Sequence, residues 1–155
     1  MKKIPLLPRY FQWIGLIMLL LMIPYKFYED SISGIRINTF VVYNDTPLQE
    51  SGLFEIMEVD IGFTLFLLIS LLGLTFIAFS RTRIEDEMIQ SIRLYSWSWA
   101  ILIMIGLGVL ITLSIYGMTF VSFALLFGHI LLLLFIIIFR MNYYRLNKGG
   151  KQNEE

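Results

Sequence analysis

Long apolar runs separated by short charged segments set the pattern of this chain. Ile61 to Phe79 is 19 residues without a charge, Thr119 to Phe139 is 21 residues broken only by His129, and Trp97 to Ile115 is another 19. A bilayer's hydrocarbon core of ~30 Å takes about 20 residues of helix, so each run predicts a transmembrane helix. A fourth run, Tyr10 to Tyr25, is shorter and contains Gln12. At ~1.5 Å per residue it still spans if Arg9 and Lys26 snorkel and the flanking aromatics line the interfaces.

Residues 26–60 follow a different pattern. GIRINTFVVYND alternates with period two, placing Ile35, Ile37, Thr39, Val41 and Tyr43 on one face, and Asn44-Asp45-Thr46-Pro47 then reads as a turn. A strand or small hairpin is expected there. The predicted fold is all-α membrane: a four-transmembrane-helix bundle with a short extracytoplasmic β-like segment between helices 1 and 2. The segments of this single integral membrane domain are helix 1 at about 10–25, an outer segment at 26–60, helix 2 at 61–79, a cytoplasmic loop at 80–96, helix 3 at 97–115 with its helix starting near 85, helix 4 at 119–139, and a cytoplasmic tail at 140–155. The polar end KGGKQNEE is expected to lack regular structure.

Charge orients this threading. Lys2, Lys3, Arg9, Arg81, Arg83, Arg93, Arg140, Arg145, Lys148 and Lys151 fall on one side, and only Lys26 and Arg36 on the other. That asymmetry puts both termini in the cytoplasm. The first run resembles a signal peptide, but Tyr-Lys-Phe-Tyr follows Pro24 where a small-residue cleavage site would stand, so it reads as a retained span. Hydrophobic residues make up 57% of the chain, which belongs with membrane proteins. Without cysteine there is no disulfide or thiolate chemistry, and no basic patch interleaved with aromatics points to nucleic acid. The outer side carries Glu29, Asp30, Asp45, Glu50, Glu55, Glu58 and Asp60, read as orientation and solubility or as a surface for cations or basic peptides.

A few polar positions remain. Glu85, Asp86 and Glu87 stand where helix 3 starts, facing the positive end of its dipole, and Thr82 with Glu85 fits a capping box. Asp86, Gln90, Arg93 and Trp97 share one face, a candidate surface for a partner. Arg93 reads as an interfacial anchor that snorkels to lipid phosphates, or as an interhelical tie, or as a recognition residue; Trp13, Trp97 and Trp99 read as interfacial anchors. The segment Glu85–Glu87 followed by Ile92-Arg93-Leu94, Ser96, Trp99 and Ala100 resembles a family of small four-span bacterial inner-membrane proteins with no assigned activity. The resemblance implies fold and topology and supplies no catalytic residues.

His129 lies near the middle of its run, as Ser70 does in helix 2. An ionisable group at that depth is a functional candidate by default. Its expected partner is Ser70 or a backbone carbonyl, with His129 neutral and pointing into the bundle. Ala124/Gly128 and Gly108/Thr112 form small-xxx-small pairs that would bring helices 3 and 4 close there. Metal or haem ligation lacks a second ligand, and catalysis lacks an acid–base pair, so no cofactor and no enzymatic activity are expected. The expected role is a non-enzymatic accessory or sensory subunit of the bacterial cytoplasmic membrane. It would contact the lipid bilayer and act through a membrane or cytoplasmic protein. The alternative is an oligomeric channel or transporter subunit built as a homo-oligomer.

Overall fold

A computed structural model describes residues 6–28, 36–44, 52–60, 62–83 and 86–152. Its elements run α1 (Tyr10–Tyr28), β1 (Arg36–Asn44), β2 (Gly52–Asp60), α2 (Gly62–Phe79), α3 (Glu87–Ser114) and α4 (Met118–Gln152). Three stretches, Gly62–Phe79, Glu87–Ser114 and Thr119–Leu146, are long and apolar enough to cross a membrane, while the apolar part of α1, Tyr10–Pro24, is shorter. Pro24 lies inside α1, where its ring nitrogen removes one backbone hydrogen bond near the end of the apolar stretch.

The helices associate as two antiparallel pairs, α1 with α2 and α3 with α4, joined through α2 and α4. The first pair is set by two glycines. A Cβ built on Gly15 would stand 2.5 Å from the Gly73 carbonyl oxygen, and one on Gly73 would stand 3.1 Å from the Gly15 carbonyl oxygen. Backbone thus meets backbone, an approach available only where both residues lack side chains. Phe11 packs edge-on to Phe76 nearby, their ring centroids 5.1 Å apart. Around Gly108 and Gly128, where close approach of helices 3 and 4 is expected, the neighbours are side chains rather than backbone, and Gly106 is open. A Cβ on Gly106 meets nothing within 4 Å, one on Gly108 meets the Phe127 ring at 3.3 Å, and one on Gly128 meets Leu71 at 3.5 Å.

The second pair turns at Gly117, whose φ of +79° an L side chain would resist. Its packing is concentrated toward the end remote from that turn. Leu74, Ala78, Ile89, Ala100, Leu132, Phe135 and Phe139 form the core, drawn from α2, α3 and α4. Toward the Gly117 turn α3 and α4 are exposed on most faces, with Val109, Leu110, Leu113, Val121 and Leu125 uncovered. Helices apolar all round and unburied by protein suit a lipid surrounding.

β1 and β2 form an antiparallel hairpin whose partners run from Arg36↔Asp60 to Asn44↔Gly52. Phe40 lies opposite Ile56 and stacks diagonally on Phe54 at 6.0 Å between centroids; all three are exposed. Phe54 takes a φ of 61°, the left-handed region that a bulky residue seldom occupies. Beyond Asn44, the turn expected through Pro47 lies outside the described residues. At the other end of the chain, α4 continues through Gly149 and Gly150 to Gln152, so the tail expected to be irregular from Lys148 is helical to that point.

Candidate functional site

The end of α2 presents a problem of backbone accounting. A helix leaves its last carbonyls without intrahelical donors, and α2 ends in Ala78-Phe79, followed by Ser80, with no basic residue in its last turn. Each exposed carbonyl finds a donor elsewhere. Ser80 Oγ donates to the Ile77 oxygen at 3.0 Å. The Leu7 amide donates to the Phe79 oxygen at 2.9 Å, and the Arg81 amide returns to the Leu7 oxygen at 3.0 Å. Arg93 Nη1 donates to the Ala78 oxygen at 3.0 Å and Nη2 to the Ser80 oxygen at 3.3 Å. One guanidinium from α3 and one strand-like segment ahead of α1 therefore close off α2.

Arg93 reaches this position because α3 buries Ile89, Arg93, Ser96, Ala100 and Met104 along one stripe. The side chain is 2% exposed, with its guanidinium carbon 4.6 Å from the centre of the Phe139 ring. Its positive charge sits at the negative end of the α2 dipole and over an aromatic face, two favourable placements for a buried cation. Arg93 is accordingly not a lipid-facing anchor, nor part of an accessible partner surface. It is an interhelical tie whose acceptors are carbonyls rather than a carboxylate.

Trp97 also turns toward protein. It is half-buried and stacks on the fully buried Phe135, 4.3 Å between centroids, continuing a file of rings from Phe79 through Phe139 to Tyr143. Trp13 and Trp99 face outward. At the start of α3 the cap is Asp86, whose carboxylate accepts from the Ile89 amide at 2.8 Å, so the box expected from Thr82 does not form the cap. Glu85 lies outside the described residues, Glu87 is exposed in the first turn, and Gln90 is half-buried.

Deeper between the helices, Ser70 Oγ and His129 Nε2 are 2.9 Å apart. The same Nε2 is 3.1 Å from the Leu67 oxygen, and Ser70 Oγ donates to that oxygen at 3.0 Å. A carbonyl can only accept, so both contacts are satisfied when Nε2 carries the proton and donates to Ser70 Oγ and Leu67. Nδ1 is buried and finds no hydrogen-bond partner among the described residues. This triangle crosslinks α2 to α4 within the apolar layer. Ser70→Ala removes one arm and leaves the Leu67 acceptor in place. Its expected cost is only about 0.6 kcal/mol, the typical worth of such bonds in membranes, checked by unfolding in mixed micelles. A loss of several kcal/mol would mean that the serine, not the carbonyl, holds His129.

Between α1, α2 and α4, beside the Arg93 tie, lies a cavity of about 510 Å³. Arg9, Arg81, Arg83 and Arg140 line it together with Trp13, Phe135 and Phe139. Among the described residues no group of three or more histidines or carboxylates stands where it could hold a metal ion.

No protein-family model, curated protein or solved structure matches the chain. The site therefore has to be interpreted from its own geometry. The structure brings Ser70 and His129 together, and separates Arg93 from the surface assigned to it. The Arg-lined cavity joins residues from Arg9 to Tyr143, and was not anticipated. The available signal was that Arg9, Arg81, Arg83 and Arg140 all fall on the same side of the four-span threading, each next to a helix end.

Proposed function

We propose that the chain is a four-span protein of the bacterial cytoplasmic membrane, both termini cytoplasmic, acting without catalysis as an accessory or sensory subunit for a partner protein. Three helices have spanning length, and α1 lies in backbone contact with one of them at Gly15 and Gly73, which supports a place for α1 in the same layer. The excess of Lys and Arg at the Arg93 end supports its cytoplasmic orientation. The bacterial location draws on the resemblance of the Glu85–Ala100 segment.

One observation carries the functional reading. α2 is a strut between two distinct surfaces. It starts one residue after the hairpin that exposes Phe40, Phe54 and Ile56, and its other end is held by Arg93 and Leu7. A displacement of the hairpin is therefore transmitted along one continuous helix to the start of α3, where Glu87 and Gln90 lie.

Photo-reactive residues at Gln90 and Phe40, activated in native membranes, test this. The expected result is one specific protein crosslinked at Gln90 and lost in a variant that unties α2, Arg93→Ala. Crosslinks only between copies of this chain, at both positions, would replace the reading with that of an oligomeric channel or transporter.

A further inference from the structure

We propose that the cavity between α1, α2 and α4 binds the phosphate group of an anionic phospholipid, with the start of an acyl chain on its aromatic floor. The proposal rests on the membrane reading above, in which this end of the bundle is cytoplasmic.

Charge favours an anion here. Arg9 from the start of α1, Arg81 and Arg83 from the segment after α2, and Arg140 from α4 line one space of about 510 Å³, and among the described residues no carboxylate lines it. Four guanidinium groups around one cavity repel one another, and a bound anion removes that repulsion. The negative end of the α2 dipole does not serve as this anion, because Arg93 already occupies the Ala78 and Ser80 carbonyls there. Guanidinium forks also match the geometry of phosphate oxygens, with two parallel N–H donors each.

The floor favours a lipid over an inorganic ion. Trp13 and Phe139 face the same space as the arginines. A hydrated inorganic ion gains nothing from rings, whereas a glycerol backbone and its acyl chain bury against them. Volume fits as well, since sites for small molecules run from about 300 to 1,000 Å³. Trp13 is 65% exposed on the outer face of α1, so the floor continues onto the surface that lipid would cover. Basic pockets between helices at the cytoplasmic leaflet are the usual setting for anionic headgroups.

The shared chemistry, a phosphate, could come from lipid or from solution, and the test separates the two. Full-length protein in neutral detergent is mixed with phosphatidylglycerol or phosphatidylcholine and examined by native mass spectrometry, with inorganic phosphate as competitor. The expected result is one phosphatidylglycerol retained per chain, in preference to phosphatidylcholine, and not displaced by millimolar phosphate. Arg81→Gln with Arg140→Gln should weaken retention about ten-fold or more. Arg145→Gln, which removes the same charge from α4 outside the cavity, should leave it unchanged.

Equal retention of both lipids by the unaltered protein would reduce the effect to a lipid annulus and overturn the proposal. Displacement by phosphate would reassign the cavity to a soluble anion. Unchanged retention in the double variant would clear the arginines of the role. A separate readout guards the underlying topology: the chain has no cysteine, so Lys148→Cys can be probed in spheroplasts with an impermeant maleimide. Labelling from outside would sink the orientation without touching the binding result in detergent.

Discussion

Arg93→Ala is expected to destabilise the protein by about 3 kcal/mol in mixed-micelle unfolding, the largest single loss among charged residues. Each buried carbonyl left without its donor costs roughly 1–3 kcal/mol, and Arg93 serves two, at Ala78 and Ser80. Loss of the contact with Phe139 adds about 0.5–2 kcal/mol, and the contributions overlap because one side chain makes them all. Arg93→Met sharpens the test. It fills much of the space and removes the cost of burying a charge, which in ion pairs often leaves stability unchanged. Here the acceptors are backbone and cannot be removed with their partner, so Met should remain destabilised by about 2 kcal/mol. Arg93→Lys should fall between, since one ammonium on a flexible stem cannot reproduce two donors held in a plane. A methionine variant as stable as the parent would show that solvent or other groups satisfy those carbonyls.

Gly15→Ala should cost about 1–3 kcal/mol, the usual range for overpacking a tight contact, although it adds a single methyl group. The new Cβ would meet the Gly73 carbonyl oxygen at 2.5 Å, and a backbone atom cannot rotate aside. The α1–α2 pair must then separate or slide. Gly73→Ala should be milder, because its nearest contacts begin at 3.1 Å and include the flexible end of Leu19. Gly106→Ala serves as the opposite control. It meets nothing within 4 Å, so the only effect left is the gain in helix propensity of roughly 0.5–1 kcal/mol. Unfolding of the three variants in one detergent system gives the order; an equal gain at Gly15 and Gly106 would mean that helix propensity, not the crossing, governs α1.

Two elements were legible in the sequence because their signals are local. Long uncharged runs identify the apolar helices, and period-two alternation from Gly34 to Asn44 identifies a strand. The depth match between Ser70 and His129 was also readable, since it needs only the position of each within its run. Arg93 was not. An arginine close to tryptophans at the mouth of a helix has the same local appearance whether it reaches outward to lipid or inward to carbonyls. Backbone acceptors carry no residue code, so only the shortage of local caps at the end of α2 hinted at an outside donor. Gly15 was silent for a related reason. Its counterpart is on another helix, and a search for small residues along one helix favours Gly108 and Gly128 instead. The polar tail KGGKQNEE misled in the other direction, because its polarity did not stop α4 from continuing to Gln152.

The bridge between Leu7 and Ser80 carries a consequence for how the chain is made. Synthesis proceeds from the N-terminus, so Leu7 leaves the ribosome long before its partner at Ser80 exists. The first helix must wait with its flanking segment open until the second has been laid back beside it. Arg93 follows later still, and only then are the carbonyls at the end of α2 fully occupied. Assembly thus has a built-in order: the first pair of helices closes, and the second pair locks it from the Arg93 end. A chain stopped before Arg93 would hold the first pair but not the lock, leaving a recognisably unfinished protein for quality control to find.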